Sequence, residues 1–297
     1  MSLFINKRSS VGVNNRHQKG FTLVEIMISM ALGLVIAGAV IQIMVSNSVT
    51  EKLNRAMAST QESGRFIINR LRAEMLMVGL YDQMNPKLNL NVDIVNENNF
   101  VRNHPVILPN EFAVRTTLGA IQGSNGGNDT LVVSLQSNMD CRGYVLGYAN
   151  DEEFYVVNEY FVDDNKLKCR GFDGRYLRGQ KAAEGHNSHK SMTILDDVVN
   201  FQVTYGVTDL ASTSGSAIPT RFVTADDIQN AINDGKTIVA LRIALVVRAD
   251  SDITVETKPS FRLLNEANYT PSDNGLYKSF ETTITLRNMK NFVRSKA

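Results

Sequence analysis

An uncharged run near the N-terminus, residues 26–50, limits the structures open to this chain. A helix needs about 20 apolar residues to cross the hydrocarbon core of a bilayer, so the run is long enough to span a membrane. The residues before it carry only basic charges, which are Lys7, Arg8, Arg16 and Lys19. Because basic flanks stay in the cytoplasm, the sequence predicts a cytoplasmic N-terminus and an exported C-terminal part.

A cleaved secretory signal is the alternative interpretation of this run. Such a signal has a short apolar core that is followed by small residues at the cleavage site. Here the apolar run is too long, and Gly20 stands before it rather than after it. Cleavage after Gly20 would remove residues 1–20 as a basic leader and leave the membrane segment, about 21–47, on the mature chain.

Glu25 stands at the start of the apolar run, where a carboxylate is costly to place in lipid. Cleavage after Gly20 would create one nearby cation, the new α-amino group of Phe21. Pairing within one chain is awkward in the first helical turn, whereas the carboxylate can meet the α-amino group of a neighbour staggered along a filament. The alternative is that Glu25 reaches the membrane interface or is stabilised by the helix dipole. The glycine and the basic leader favour the filament interpretation.

A second pattern extends the helix beyond the membrane segment. Apolar and small residues recur at three- and four-residue steps between polar residues, as on a helix with one buried stripe. The stripe comprises Leu53, Met57, Thr60, Gly64, Ile68, Leu71, Met75 and Val78. Because no proline interrupts the pattern and Gly79 is a typical stop, the sequence predicts one helix over 21–79. The alternative is a break near Ser46-Asn47-Ser48.

The remaining residues, 80–297, change to the period of β-strands. β-Branched and aromatic runs occur at 129–135, 153–157, 160–162, 200–207, 238–247 and 280–286. Residues 163–166 predict a turn, and residues 224–227 predict the start of a short helix that ends at Gly235. The expected fold is α+β, with the long N-terminal helix packed on an antiparallel-rich sheet.

Two cysteines, Cys141 and Cys169, bear on the compartment. Neither belongs to a CxxC pair or lies near a histidine at metal-ligand spacing. In an exported domain one disulfide between them is the simplest interpretation. In the cytosol they would be two buried thiols.

The sequence carries no signature of an enzyme. The motifs GxSxG, GxGxxG, HExxH and the P-loop do not occur, so neither catalysis nor a cofactor is predicted. His186 and His189 have a spacing that could bind a metal, but their stretch resembles a loop and implies no third ligand. No metal site is predicted.

A basic stretch is the one candidate for an anionic partner such as DNA. Its cations are Lys166, Lys168, Arg170, Arg175, Arg178 and Lys181. Without the leader, however, the chain has a slight excess of acidic residues. The sequence therefore favours a solvated face or a contact with an acidic neighbour over nucleic-acid binding.

The segment Gly20-Phe21-Thr22-Leu23-Val24-Glu25 resembles the processing site of type IV pilins and type II secretion pseudopilins. The resemblance implies that a prepilin peptidase cuts after Gly20 and that the new N-terminus is N-methylated on Phe21. Many major pilins have a proline within the hydrophobic segment, where this chain has Gln42 and no proline. This difference indicates a minor subunit.

Short segments over the rest of the chain resemble the PilW family of minor pilins. They are Glu62-Ser63-Gly64-Arg65-Phe66, Asp129-Thr130-Leu131, Asp140-Cys141-Arg142-Gly143, Leu167-Lys168-Cys169, 198–207, Val239-Ala240-Leu241-Arg242 and Leu286-Arg287-Asn288. The resemblance implies a structural protein of a Gram-negative bacterium, with an inner-membrane helix and residues 80–297 in the periplasm. It would later enter the pilus, at the tip.

The same resemblance implies a set of partners. They are the prepilin peptidase, an inner-membrane assembly platform, the major pilin and other minor pilins, with which the chain would prime or cap a type IV pilus. The alternatives are a minor pseudopilin of a type II secretion system and a membrane-anchored periplasmic binding protein. The binding protein would have an uncut N-terminus and a conspicuous polar pocket.

Overall fold

A computed structural model describes residues 20–185, 190–209, 218–250, 253–264 and 268–289. The chain divides into two compact units, residues 1–52 and residues 53–297. The first unit holds the start of helix α1 (Leu23–Met75), which continues into the second unit. The second unit also holds the helices α2 (Ile94–Asn103), α3 (Gly174–Leu177) and α4 (Ala225–Asn233), together with eight β-strands.

Helix α1 is continuous through Ser46-Asn47-Ser48, so the alternative break does not occur. It ends at Met75, earlier than predicted, because residues 76–79 form a turn. In that turn the backbone N–H of Val78 donates to the Met75 carbonyl at 3.2 Å. Gly79 has φ +72°, a left-handed conformation that glycine adopts without strain, and it ends the turn.

The buried stripe of α1 differs in part from the predicted one. Its buried residues are Ala56, Thr60, Gly64, Ile67, Leu71 and Met75. Met57 is 41% exposed, and Ile68 is only partly buried. At Gly64, which both stripes share, the ring of Phe280 fills the space that a Cβ atom would need.

The first sheet is antiparallel, with strand order β1-β2-β3-β4. Its strands are β1 (Leu131–Ser137), β2 (Phe154–Asp163), β3 (Lys166–Asp173) and β4 (Met192–Leu195). The two predicted runs 153–157 and 160–162 are one strand, β2. The predicted turn after it is present, and Asp164 and Asn165 have positive φ there, as a tight hairpin requires.

The second sheet is also antiparallel, with strand order β6-β5-β7-β8. Its strands are β5 (Val198–Asp209), β6 (Arg221–Val223), β7 (Lys236–Arg248) and β8 (Tyr277–Thr285). The strands therefore form two four-stranded sheets rather than the one sheet expected from the sequence. One hydrophobic cluster joins Ile67 of α1 to Tyr160 of the first sheet and Leu245 of the second.

Candidate functional site

The N-terminal segment begins outside the helix. Gly20, Phe21 and Thr22 precede α1, and the Thr22 carbonyl is the first acceptor, at 3.2 Å from the backbone N–H of Ile26. The Gly20–Phe21 peptide therefore stays out of the helical hydrogen-bond ladder. A Cβ atom on Gly20 would meet nothing within 4 Å, so the chain's own packing does not require glycine at this position.

Thr22 and Glu25 cap the first turn of α1 reciprocally. The Thr22 hydroxyl oxygen accepts a hydrogen bond from the Glu25 backbone N–H at 3.2 Å, and the Glu25 carboxylate accepts one from the Thr22 backbone N–H at 3.5 Å. This arrangement is the capping box of Ser/Thr-x-x-Glu sequences. The prediction for Glu25 considered the helix dipole and left out this cap, although its signature is legible in the sequence.

The side chains that follow form a long apolar surface. From Phe21 to Thr50 every side chain is exposed. The large apolar ones are Phe21, Leu23, Val24, Ile26, Met27, Ile28, Met30, Leu32, Leu34, Val35, Ile36, Val40, Ile41, Ile43, Met44, Val45 and Val49. Among the described residues, α1 is the one helix long and apolar enough to cross a membrane. All of the basic leader except Gly20, that is residues 1–19, lies outside the described residues.

Cys141 and Cys169 form a disulfide, with their Cα atoms 6.3 Å apart. It links the loop after β1 to strand β3, where Cys169 is buried in the core. The loop is also held by two hydrogen bonds: Arg70 of α1 donates to the Cys141 carbonyl at 3.0 Å, and the Cys141 N–H donates to Asn158 at 3.1 Å. The disulfide thus fastens the loop to the first sheet, and the Arg70 hydrogen bond fastens it to α1.

The basic stretch does not form a free cationic face. Lys166, Lys168 and Arg170 are paired with Asp196, Asp163 and Glu159 at 3.2, 2.6 and 2.8 Å. Lys181 lies 3.2 Å from Glu184, and the Arg178 guanidinium sits 4.5 Å from the centre of the Phe100 ring. Arg175 is buried. The cations of this stretch therefore have acidic or aromatic partners within the chain.

Arg175 belongs to a buried polar network that the sequence gives no sign of. Its guanidinium donates to Glu97 at 2.8 Å and to the side-chain oxygen of Asn89 at 2.5 Å, and the Tyr81 hydroxyl donates to Glu97 at 2.6 Å. Burial opposes the charge of Arg175, but the hydrogen bonds and the charge of Glu97 outweigh it and raise the pKa of Arg175. Burial, reinforced by Glu97, raises the pKa of Tyr81. The network fixes α2 to α3.

A polar cleft adjoins this network and includes Tyr148, Glu152 and Lys181. Its charged side chains are engaged within the chain, since Glu152 accepts from Asn89 at 2.7 Å and Lys181 pairs with Glu184. No group of three metal-binding side chains occurs in the part of the chain that the structure describes. The candidate metal ligands His186 and His189 lie outside that part.

Two family models match separate regions of the chain. The prokaryotic N-terminal methylation motif matches residues 15–41, and type IV pilus-assembly protein W (PilW) matches residues 153–288. Among solved structures, a type IV-like pilin from Thermus thermophilus is similar, with 13% identity and a TM-score of 0.38. That similarity covers 79% of this chain and 98% of the pilin. No curated protein matches the chain.

An exposed apolar helix that begins at a methylation motif, followed by antiparallel sheets, defines a type IV pilin-like protein. Such a protein is anchored in a membrane by its N-terminal helix and carries a soluble C-terminal domain. The PilW match over residues 153–288 and the methylation motif over residues 15–41 together support a PilW-family type IV pilin. This is a family of structural subunits and not of enzymes.

Proposed function

We propose that the chain is made as a precursor, is cut between Gly20 and Phe21, is N-methylated on Phe21, and then primes or caps a type IV pilus with other minor pilins. The observation that carries this proposal is the position of the Gly20–Phe21 peptide, outside α1 and directly before an exposed apolar surface. A peptidase can reach this bond without unwinding the helix. The apolar surface then remains on the mature subunit, where neighbouring helices would cover it.

Mass spectrometry of the mature N-terminus tests the processing step. The expected product starts at Phe21 and carries one methyl group on its α-amino nitrogen. An intact N-terminus contradicts the proposal and favours a membrane-anchored binding protein, and cleavage at another bond contradicts the proposed processing site.

Gly20→Val should block cleavage. The chain's own packing does not need glycine at this position, so the requirement for a small residue here would come from the peptidase. Gly33→Val is the matched control, because a Cβ atom on Gly33 also meets nothing within 4 Å. Immunoblots of cells that express either variant should show a full-length precursor for Gly20→Val and a shortened chain for Gly33→Val. Normal maturation of Gly20→Val would show that the peptidase does not read this residue.

Glu25 has two candidate roles, which three substitutions separate. As a member of the capping box it needs an acceptor oxygen, whereas facing a neighbour's α-ammonium it needs a negative charge. Glu25→Gln keeps the acceptor and loses the charge, while Glu25→Ala and Glu25→Val lose both. We expect all three to be cleaved after Gly20 and to assemble poorly, as measured by pilus number and by co-purification of minor pilins. Wild-type assembly of Glu25→Gln would assign Glu25 to the cap alone.

The disulfide supports export, because such bonds persist in the periplasm and are rare in the cytosol. Thiol titration of the unfolded, unreduced protein should find no free thiol.

Deletion of the gene separates the pilus from the type II secretion alternative. Loss of surface pili with secretion intact supports the proposal, and loss of secreted proteins with pili intact assigns the chain to a pseudopilus.

A further inference from the structure

The outer strands of the two sheets differ in how their backbone edges are protected. The edge of β1 is covered, since its Ser134 accepts from the Gly79 N–H at 2.9 Å and donates to the Pro105 carbonyl at 3.1 Å. Strand β6 has three residues, and strand β4 has four and a shifted register against β3. Folded proteins shorten, distort or cover their edge strands in these ways because an open edge pairs with other chains.

Strand β8 lacks all of these protections in the residues that the structure describes. Its nine residues pair with β7 in one uninterrupted register. Apart from their pairing with β7, the backbone N–H and C=O groups of residues 278–285 make no backbone hydrogen bond to another segment that the structure describes. The side chains of Ser279, Glu281, Thr283 and Thr285 are exposed, and the strand contains no proline. The outer edge of β8 is therefore a regular row of backbone donors and acceptors.

The direction of this edge is fixed relative to the second half of α1. The Phe280 ring lies against Gly64, and the Asn288 side-chain amide donates to the Val78 carbonyl at 3.1 Å. The first contact joins α1 to β8, and the second joins the segments that directly follow them. Both contacts advance along the chain in the same sense, so the chain passes along β8 in the same direction as along the second half of α1. A strand added to β8 would thus extend the second sheet along the flank of the helix.

We propose that the edge of β8 binds an extended strand from a different pilin-like subunit. This inference rests on the proposed function, in which this chain and the other minor pilins are anchored in one membrane by N-terminal helices and would enter the pilus with those helices in the same direction. A second copy could pair its β8 antiparallel only by a two-fold rotation, and that rotation reverses α1 because β8 runs parallel to it. Strand addition supplies affinity through the main chain and leaves selection of the partner to the alternating side chains.

Hydrogen exchange of the full chain in detergent, alone and in the complex co-purified from cells, tests the inference. The outward N–H groups of β8 should exchange quickly in the isolated chain and become protected in the complex. The segment 94–103 of α2, away from this edge, should exchange equally in both samples. If pilin-like proteins co-purify and β8 exchanges equally in both samples, the inference fails and the proposed function stands.

Two paired variants add a second measurement. Ser279→Lys with Thr285→Lys places charges along β8, and Gln229→Lys with Asn230→Lys places the same charges on the exposed side of α4. We expect the first pair to reduce co-purified minor pilins about tenfold and the second to leave them unchanged.

Equal recovery of minor pilins with both pairs of variants would overturn the inference. So would protection of β8 in the isolated chain that increases with protein concentration, since it would assign the edge to a second copy. If no pilin-like protein co-purifies with the wild type, the inference and the proposed function both fail.

Discussion

The two halves of α1 have the same backbone conformation and opposite surroundings. From Leu23 to Thr50 every side chain is exposed although most are apolar, whereas between Leu53 and Met75 one face is buried and the others are largely polar. Apolar surface of this extent marks a contact with lipid or with another protein. The second half finds its apolar partners within the chain, and the first half needs partners from outside it.

This difference separates the consequences of substitution. Changes in the first half should alter insertion or assembly and leave the free energy of unfolding of the β-rich unit intact. Changes in the second half of α1, or in the core that it shares with the sheets, should lower the free energy of unfolding of the β-rich unit and leave insertion and assembly intact. The predictions below test that division.

The largest expected effect on stability is in the buried network. Glu97→Ala leaves the Arg175 guanidinium without its counter-charge in a buried site, and the free energy of unfolding should fall by about 3–5 kcal/mol. Denaturant unfolding of the full chain in detergent, followed by circular dichroism, measures this. Asp163→Ala is the control, because the Asp163 carboxylate that pairs with Lys168 is exposed and surface pairs contribute roughly 0–1 kcal/mol. Similar decreases in the free energy of unfolding of Glu97→Ala and Asp163→Ala would show that burial of the ion pair does not determine the cost of breaking it.

The disulfide should contribute the next largest amount. Replacing both Cys141 and Cys169 with serine should lower the free energy of unfolding by about 3–4 kcal/mol, because the unfolded chain regains the freedom of a closed loop. The same denaturant experiment measures the change, and the variant should still fractionate with membranes. Release of the variant into the soluble fraction would contradict the division between the two halves.

A charge in the first half should act on the membrane instead. Val35→Arg places a cation within the apolar surface, at a cost of about 2.5–3.5 kcal/mol for insertion, and the membrane-bound fraction of the protein should fall. Met57→Arg is the control, since Met57 is also apolar and exposed on α1 but follows the apolar run. Cell fractionation compares the two. Equal membrane-bound fractions of Val35→Arg and Met57→Arg would contradict the difference between the two halves of α1.

The smallest effect concerns two glycines of the same helix. Alanine normally stabilises a helix by about 1 kcal/mol relative to glycine. At Gly64 the new Cβ atom would collide with the Phe280 ring, so Gly64→Ala should instead lower the free energy of unfolding by about 1–3 kcal/mol. Gly38→Ala has open space around it and should leave the β-rich unit unchanged. Thermal unfolding followed by circular dichroism tests both, and a stabilised Gly64→Ala would contradict the packing described here.

Local patterns made the helices and strands of this fold predictable. The period of apolar residues indicates α1, the alternation at 200–207 indicates β5, and Asp164-Asn165 indicates the hairpin because these residue types tolerate positive φ. In each case residues close in sequence carry the whole signal. The capping box of Thr22 and Glu25 is also a pattern of residues close in sequence, so it too is predictable from the sequence.

Contacts between distant residues were not predictable in this way. Glu97 and Arg175 are 78 positions apart, and each looks like an ordinary surface charge until the fold brings them together. The division of the strands into two sheets depends on which strands pair, and strand periodicity carries no information about partners. The burial of Ala56 in place of Met57 depends on which face of α1 meets the core. Tertiary packing decides all three.

The anchoring of the loop at Cys141 has a mechanical consequence. Arg70 attaches α1 to this loop, Asn288 after β8 donates to the Leu76 carbonyl just beyond α1, and the disulfide connects the loop to β3. A tensile force applied along α1 therefore enters the β-rich unit at two places, and one of them leads into a covalent cross-link. Hydrogen bonds that share a load yield together rather than in turn, and the cross-link keeps the loop joined to β3. Tension on α1 would therefore reach β3 through the Arg70 hydrogen bond and the disulfide, and not only through the backbone that follows Met75.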